Sequence, residues 1–166
     1  MDSTVLVTQL LNELEAETSA THKCLERIPE RLWDWKPHPR SMSLGSLAFI
    51  VAEIPRWILT AITESEIDFA AFKHMRPDST EKLARFFDDN MKAAKNALIN
   101  ISDLDLAQTF YLKMNGQVLF TSSKLENIGS SVRHLVHHRG QLTVFMRLKD
   151  IPVPQVYGPS ADEQGF

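Results

Sequence analysis

Three of the six histidines in this 166-residue chain fall within five positions: His134, His137 and His138, in the stretch SVRHLVHHRGQL (131–142). Imidazole can bind a divalent metal, accept a proton, or simply hydrogen-bond on a polar turn. His134 and His138 are four residues apart. On a helix they therefore lie ~40° apart around the axis and ~6 Å apart along it, so both rings can converge on one ion. The same spacing lets a zincin helix chelate zinc. His137 could substitute geometrically, but it sits on the flank of the stripe, which suits a supporting or exposed group. A pair alone does not make a metal site, because three or four ligands are needed. Two hydrogen-bonded histidines on a partly buried face would look the same.

The other reactive residues offer less. Cys24 is the single cysteine, so an intramolecular disulfide and a Cys-rich zinc site are both excluded. It is expected to be reduced and buried, and no cationic neighbour that would activate it is evident in the sequence. His22 lies on the first helix and suits a satisfied, partly buried group. His38 stands between prolines and His74 in a polar stretch, FKHMRPD. Arg139 projects away from His138, which suits anchoring a helix end or a tail carboxylate.

Helices must position these groups. Val7, Leu10, Leu11, Leu14, Cys24, Leu25 and Ile28 recur at helical spacing from about Thr4 to Ile28, where Pro29 ends the pattern. Leu44, Leu47, Val51, Ile54, Ile58 and Ile62 form one stripe over Leu44 to about Glu64, with Pro55 expected to bend it. Ser41 or Ser43 can cap its start. A third helix is predicted from about Ser79 to Ile101 and a fourth from Ser122 or Ser123 to about Lys149. Between them DLAQTFYLKMNGQVLFTSS reads as two short extended pieces around an Asn115-Gly116 turn. The loop PERLWDWKPHPRSMS carries two tryptophans suited to covering one end of the helices, and the proline-rich tail reads as extended. The whole is predicted to be an all-α, single-domain four-helix bundle over residues 1–166, with a hairpin-like insertion between helices three and four.

The fourth helix has two stripes. Leu125, Ile128, Val132, Leu135, Leu142 and Met146 form one; His134, His138, Gln141, Phe145 and Leu148 form the other. One side is expected to face the bundle interior and the other a second surface, such as a dimer partner or the tail.

Composition narrows the partners. Eighteen Lys and Arg stand against 21 Asp and Glu with no run of like charge, so neither a nucleic-acid groove nor a polybasic membrane patch is predicted. The N-terminus carries acids where a signal peptide carries bases, and no apolar run is expected to approach the ~20 residues of a membrane span. A cytoplasmic protein is expected.

The wording HHRGQL, then FMRLKDIPVPQVYGPSADE, together with DWKPHPRSMSLGSLAFIVAEIPRW upstream, closely resembles the DinB/YfiT-like family from the first helix to the tail. That resemblance implies a four-helix bundle, commonly a homodimer, holding a divalent metal such as nickel or zinc with three histidines. It also implies a metal-dependent, thiol-utilising transferase or hydrolase activity in the members whose activity is known. The family's two last-helix ligands fall on His134 and His138. Its remaining ligand is a second-helix histidine in wording like LAxHIAEIPRW, and this chain reads LAFIVAEIPRW, with Ile50 at that position. Ile50 cannot coordinate. Glu53, at i+3 from Ile50 with Trp57 one turn further on the same stripe, is the nearest replacement, or else a carboxylate that faces water or only supports the site. Two functions follow: a metal-dependent transferase or hydrolase acting on a small molecule with a reduced site, or a non-catalytic dimeric member that binds a ligand or partner after losing its metal.

Overall fold

The computed structural model describes residues 5–164. In chain order the elements are α1 (Val5–Glu26), α2 (Leu44–Thr63), β1 (Glu66–Asp68), α3 (Thr80–Ile99), a short α4 (Asp103–Ala107), β2 (Thr109–Met114), β3 (Gln117–Ser123) and α5 (Lys124–Leu148). The four long helices α1, α2, α3 and α5 form the expected bundle. Their 3.6-residue stripes meet in one core that includes Leu14, Leu47, Ile58, Phe87, Leu135 and Met146, all fully buried. Serines start the helices at the predicted places. Ser43 Oγ accepts from the Ser46 amide, Ser79 Oγ from Lys82, and Ser123 forms a reciprocal box with Glu126. The Ser123 amide and hydroxyl hold the Glu126 carboxyl below its usual range.

α2 continues through Pro55 as one helix. It is long and apolar enough by composition to cross a membrane, contrary to the expectation that no run reaches that length. Its apolar residues instead pack into the bundle, as in the core helix of a globular fold.

The insertion holds more than two extended pieces. α4 begins at a capping box between Ser102 and Asp105, so Asp105 to Ala107 are helical rather than extended. β1 adds a parallel partner to β2, giving a three-stranded sheet in the order β1-β2-β3. Asn115 and Gly116 both take positive φ, 52° and 78°, as a tight hairpin turn requires. Asp68 fastens this turn to β1: Oδ1 accepts from the Asn115 amide at 3.0 Å and Oδ2 from the Gly116 amide at 2.6 Å.

The tryptophan loop closes one end of the bundle. Trp33 meets Phe49 edge to face at 5.0 Å between ring centres, and Trp35 meets Phe145 at 5.8 Å. Gly45 is needed beneath it, because a Cβ there would stand 2.7 Å from Trp33 Cβ. The tail folds back on the helices through ion pairs of Arg27 with Glu163 and Arg147 with Asp162.

Candidate metal centre

Rotation of α5 about its own axis decides where its histidines point, and Arg139 fixes that rotation. Its side chain is 2 % exposed. It pairs with the buried Glu17 of α1 and donates to Thr21 Oγ1 at 3.1 Å and Tyr157 Oη at 2.8 Å. This matches the anchoring role expected of it, with a tail phenol and an α1 carboxylate as partners. With Arg139, Leu135, Leu142 and Met146 turned to the core, the second stripe of α5 is presented outward beside α2.

α2 and α5 run antiparallel. At one end Lys124 Nζ donates to the Ile62 carbonyl at 2.9 Å. Midway, the Trp57 ring lies 5.6 Å from the His134 ring. At the other end Trp35, whose carbonyl accepts from the Leu44 amide, packs on Phe145. Position 50 is seven residues before Trp57, so it lies on nearly the same stripe about two turns along. The antiparallel register therefore brings Ile50 level with the turn from His138 to Gln141.

The two histidines converge through their Nε2 atoms, which lie 2.7 Å apart. Their partners assign the protons. His138 Nδ1–H donates to Gln141 Oε1 at 2.8 Å, leaving its Nε2 with a lone pair, and His134 Nε2–H donates to that lone pair. Gln141 thus orients His138 as outer partners orient metal-binding histidines. Two nitrogens on one tetrahedral ion with bonds of ~2.0–2.1 Å lie ~3.3 Å apart, so a small side-chain rotation, with the His134 proton moved from Nε2 to Nδ1, would open the pair. Partial burial is the main cause holding His134 below its usual imidazole range, followed by His138 and His137. Its ring is therefore kept in the neutral form that coordination requires.

The donor set fits a divalent ion as a half-site. Among the described residues, no group of three or more His, Cys, Asp or Glu side chains is placed to hold one ion. Trp57 walls the pair on the α2 side with its Nε1 buried and without a hydrogen-bond partner, and Phe69 closes on Trp57 at 5.2 Å. His137 is exposed, 5.2 Å from the His138 ring. Ile50 is half-buried against the core.

Glu53 differs from a solvated helix acid. It is 4 % exposed, and its carboxylate accepts from His74 Nδ1–H at 2.6 Å and from the Met75 amide at 3.2 Å. His22 is spent on Asp88 at 2.9 Å, between α1 and α3. Cys24 is fully buried and burial pushes its thiol up to about 11, which leaves it unreactive near neutral pH. The orienting role of Gln141 went unread in the sequence, although its spacing of three from His138 is the signal for it.

The family model described as the DinB family matches residues 1–164. A relative from Bacillus subtilis (strain 168), named Uncharacterized protein YrdA, is 30% identical over 157 residues, covering 92% of this chain and 89% of its own length. The fold is similar to that of a DinB-like protein from Bacillus cereus ATCC 10987, with a TM-score of 0.71, 25% identity, and 95% and 100% of the two chains covered. It is also similar to the DinB-like YjoA of Bacillus subtilis, with a TM-score of 0.71, 17% identity, and coverage of 89% and 97%.

Proposed function

The chain belongs to the DinB family, and on that premise we propose that it binds a divalent metal, nickel or zinc, at His134 and His138 and acts on a small molecule as a transferase or hydrolase. The convergence of the two Nε2 atoms, with Gln141 holding His138 in the metal-ready tautomer, carries the reading. When bound, such an ion polarises a substrate oxygen or lowers the pKa of a coordinated thiol or water. The residues supply the rest: His134 and His138 hold the ion from one side, Trp57 and Phe69 exclude water on the α2 side, and Ile50 leaves open the position a third ligand would take. A homodimer belongs to the same proposal, since Val144 and Leu148 leave apolar surface exposed along α5. The alternative, a non-catalytic member that binds a ligand or partner, is favoured by Ile50.

Calorimetric titration with zinc tests the proposal through its pH dependence. The sign follows from His134. Its folded value lies below the ordinary ~6.5, so the neutral ring is present above that region and is lost as pH falls through the lowered value. Zinc binding is expected to be strong at pH 8, to weaken below pH ~6.5, and to lose about tenfold or more in His134→Ala. Binding that is independent of pH and of His134 would favour the alternative.

A further inference from the structure

A second site lies beside Ile50 on α2, built around a histidine that the metal pair does not use. Glu53 is a buried carboxylate, which is costly unless paired. Its pairing comes from the stretch 73–76 just before α3. His74 Nδ1–H and the Met75 amide donate to its two oxygens, and Arg56 Nη1 stands 3.9 Å away. Arg56 pins the same stretch, donating to the Lys73 carbonyl at 2.7 Å with its guanidinium 4.5 Å over the Phe72 ring. His74 is thereby held as catalytic and binding histidines are held, with Nδ1–H committed to a buried carboxylate and Nε2 left as an acceptor on a ring that is half exposed.

That ring stands at a cavity of about 230 Å³ lined by Ser46, Phe49, Ile50, Glu53, His74, Met75 and Arg76. Phe49, Ile50 and Met75 supply apolar surface. Arg76 is exposed and has no ion-pair or hydrogen-bond partner among the described residues, although the chain has a net charge of −3 and carboxylates to spare. The cavity is smaller than the ~300–1,000 Å³ of sites for drug-sized ligands, so its occupant is fragment-sized.

We propose that this cavity binds a small organic acid with an apolar body, its carboxylate on Arg76 and a hydroxyl or thiol proton donated to His74 Nε2. The site takes its ligand without any metal at His134 and His138, so its test is independent of the metal reading.

The probe is mandelate, which carries a carboxylate, a hydroxyl and a phenyl ring. It is compared with phenylacetate, which lacks the hydroxyl, and mandelamide, which lacks the charge. Binding is followed by amide NMR on the full chain with a chelator present. Mandelate is expected to bind saturably in the millimolar range or tighter and to shift the resonances of His74, Met75 and Arg76. Phenylacetate and mandelamide should each bind more weakly. Arg76→Ala, at an exposed position with no partners to lose, should weaken mandelate about tenfold, the loss expected for one charge-assisted hydrogen bond. No saturable binding of mandelate overturns the inference. So does binding that shifts other residues, or that Arg76→Ala leaves unchanged.

Discussion

Replacing Ile50 with histidine is expected to give a protein whose melting temperature rises with nickel or zinc by more than the wild type's does. Position 50 shares a stripe with Trp57, which abuts His134, and the antiparallel register of α2 and α5 brings it level with His138 and Gln141. A third imidazole there would convert the half-site into a three-nitrogen site with one position open. Without metal the change should cost about 1–3 kcal/mol, since a half-buried aliphatic side chain is exchanged for a polar ring lacking its partner. With metal the balance reverses, because an ion that binds only the folded state stabilises it by RT ln(1 + [L]/Kd), ~2.7 kcal/mol at a hundredfold excess over Kd. His138→Ala in the same background should abolish the gain. Thermal melts of wild type, Ile50→His and the double variant, each with and without metal, read this directly. An equal response in wild type and Ile50→His would mean that position 50 does not face the pair.

The largest loss of stability is expected from Arg139→Ala. Arg139 is 2 % exposed and Glu17 is 7 % exposed, so removing the guanidinium leaves a buried carboxylate without its counter-charge, held only by the Tyr157 hydroxyl, which donates to Glu17 Oε1 at 2.9 Å. Breaking a buried ion pair from one side costs ~3–5 kcal/mol, a large share of the ~5–15 kcal/mol that holds a domain folded. Replacing both partners with apolar residues, Glu17→Leu with Arg139→Met, should recover much of the loss, because no charge is then left unpaired. Urea unfolding measures both variants. A loss below ~1 kcal/mol in Arg139→Ala would mean that the pair does not fix α5 against α1, and so does not aim the histidines.

The bundle was legible because its helices announce themselves twice, in apolar positions at 3.6-residue spacing and in serines at their starts. Ser43, Ser79 and Ser123 cap where the pattern begins. Three-residue β1 is too short to show a period, and its pairing with β2 joins segments more than forty residues apart. The α4 turn did carry a local signal, Ser102 with Asp105 three residues on, but the β-branched and aromatic residues after it dominated the reading. The histidine pair was readable from spacing alone, as was the flanking place of His137. The state of Glu53 was not, because its burial depends on His74 and Met75, which reach it from a stretch with no helical or strand pattern. Arg139 could be placed opposite His138 by periodicity, while its partners, 122 residues before it in α1 and 18 after it in the tail, could not.

His134 and His138 are expected to hold a divalent ion even with isoleucine at position 50. Elemental analysis of the protein purified without an affinity tag, loaded with nickel or zinc at pH 8 and then freed of excess, tests it most directly. The expected result is stoichiometric metal in the wild type, one ion per chain, and a clear loss in both His134→Ala and His138→Ala. Wild-type protein that emerges empty, or variants that retain as much metal as wild type, would contradict it.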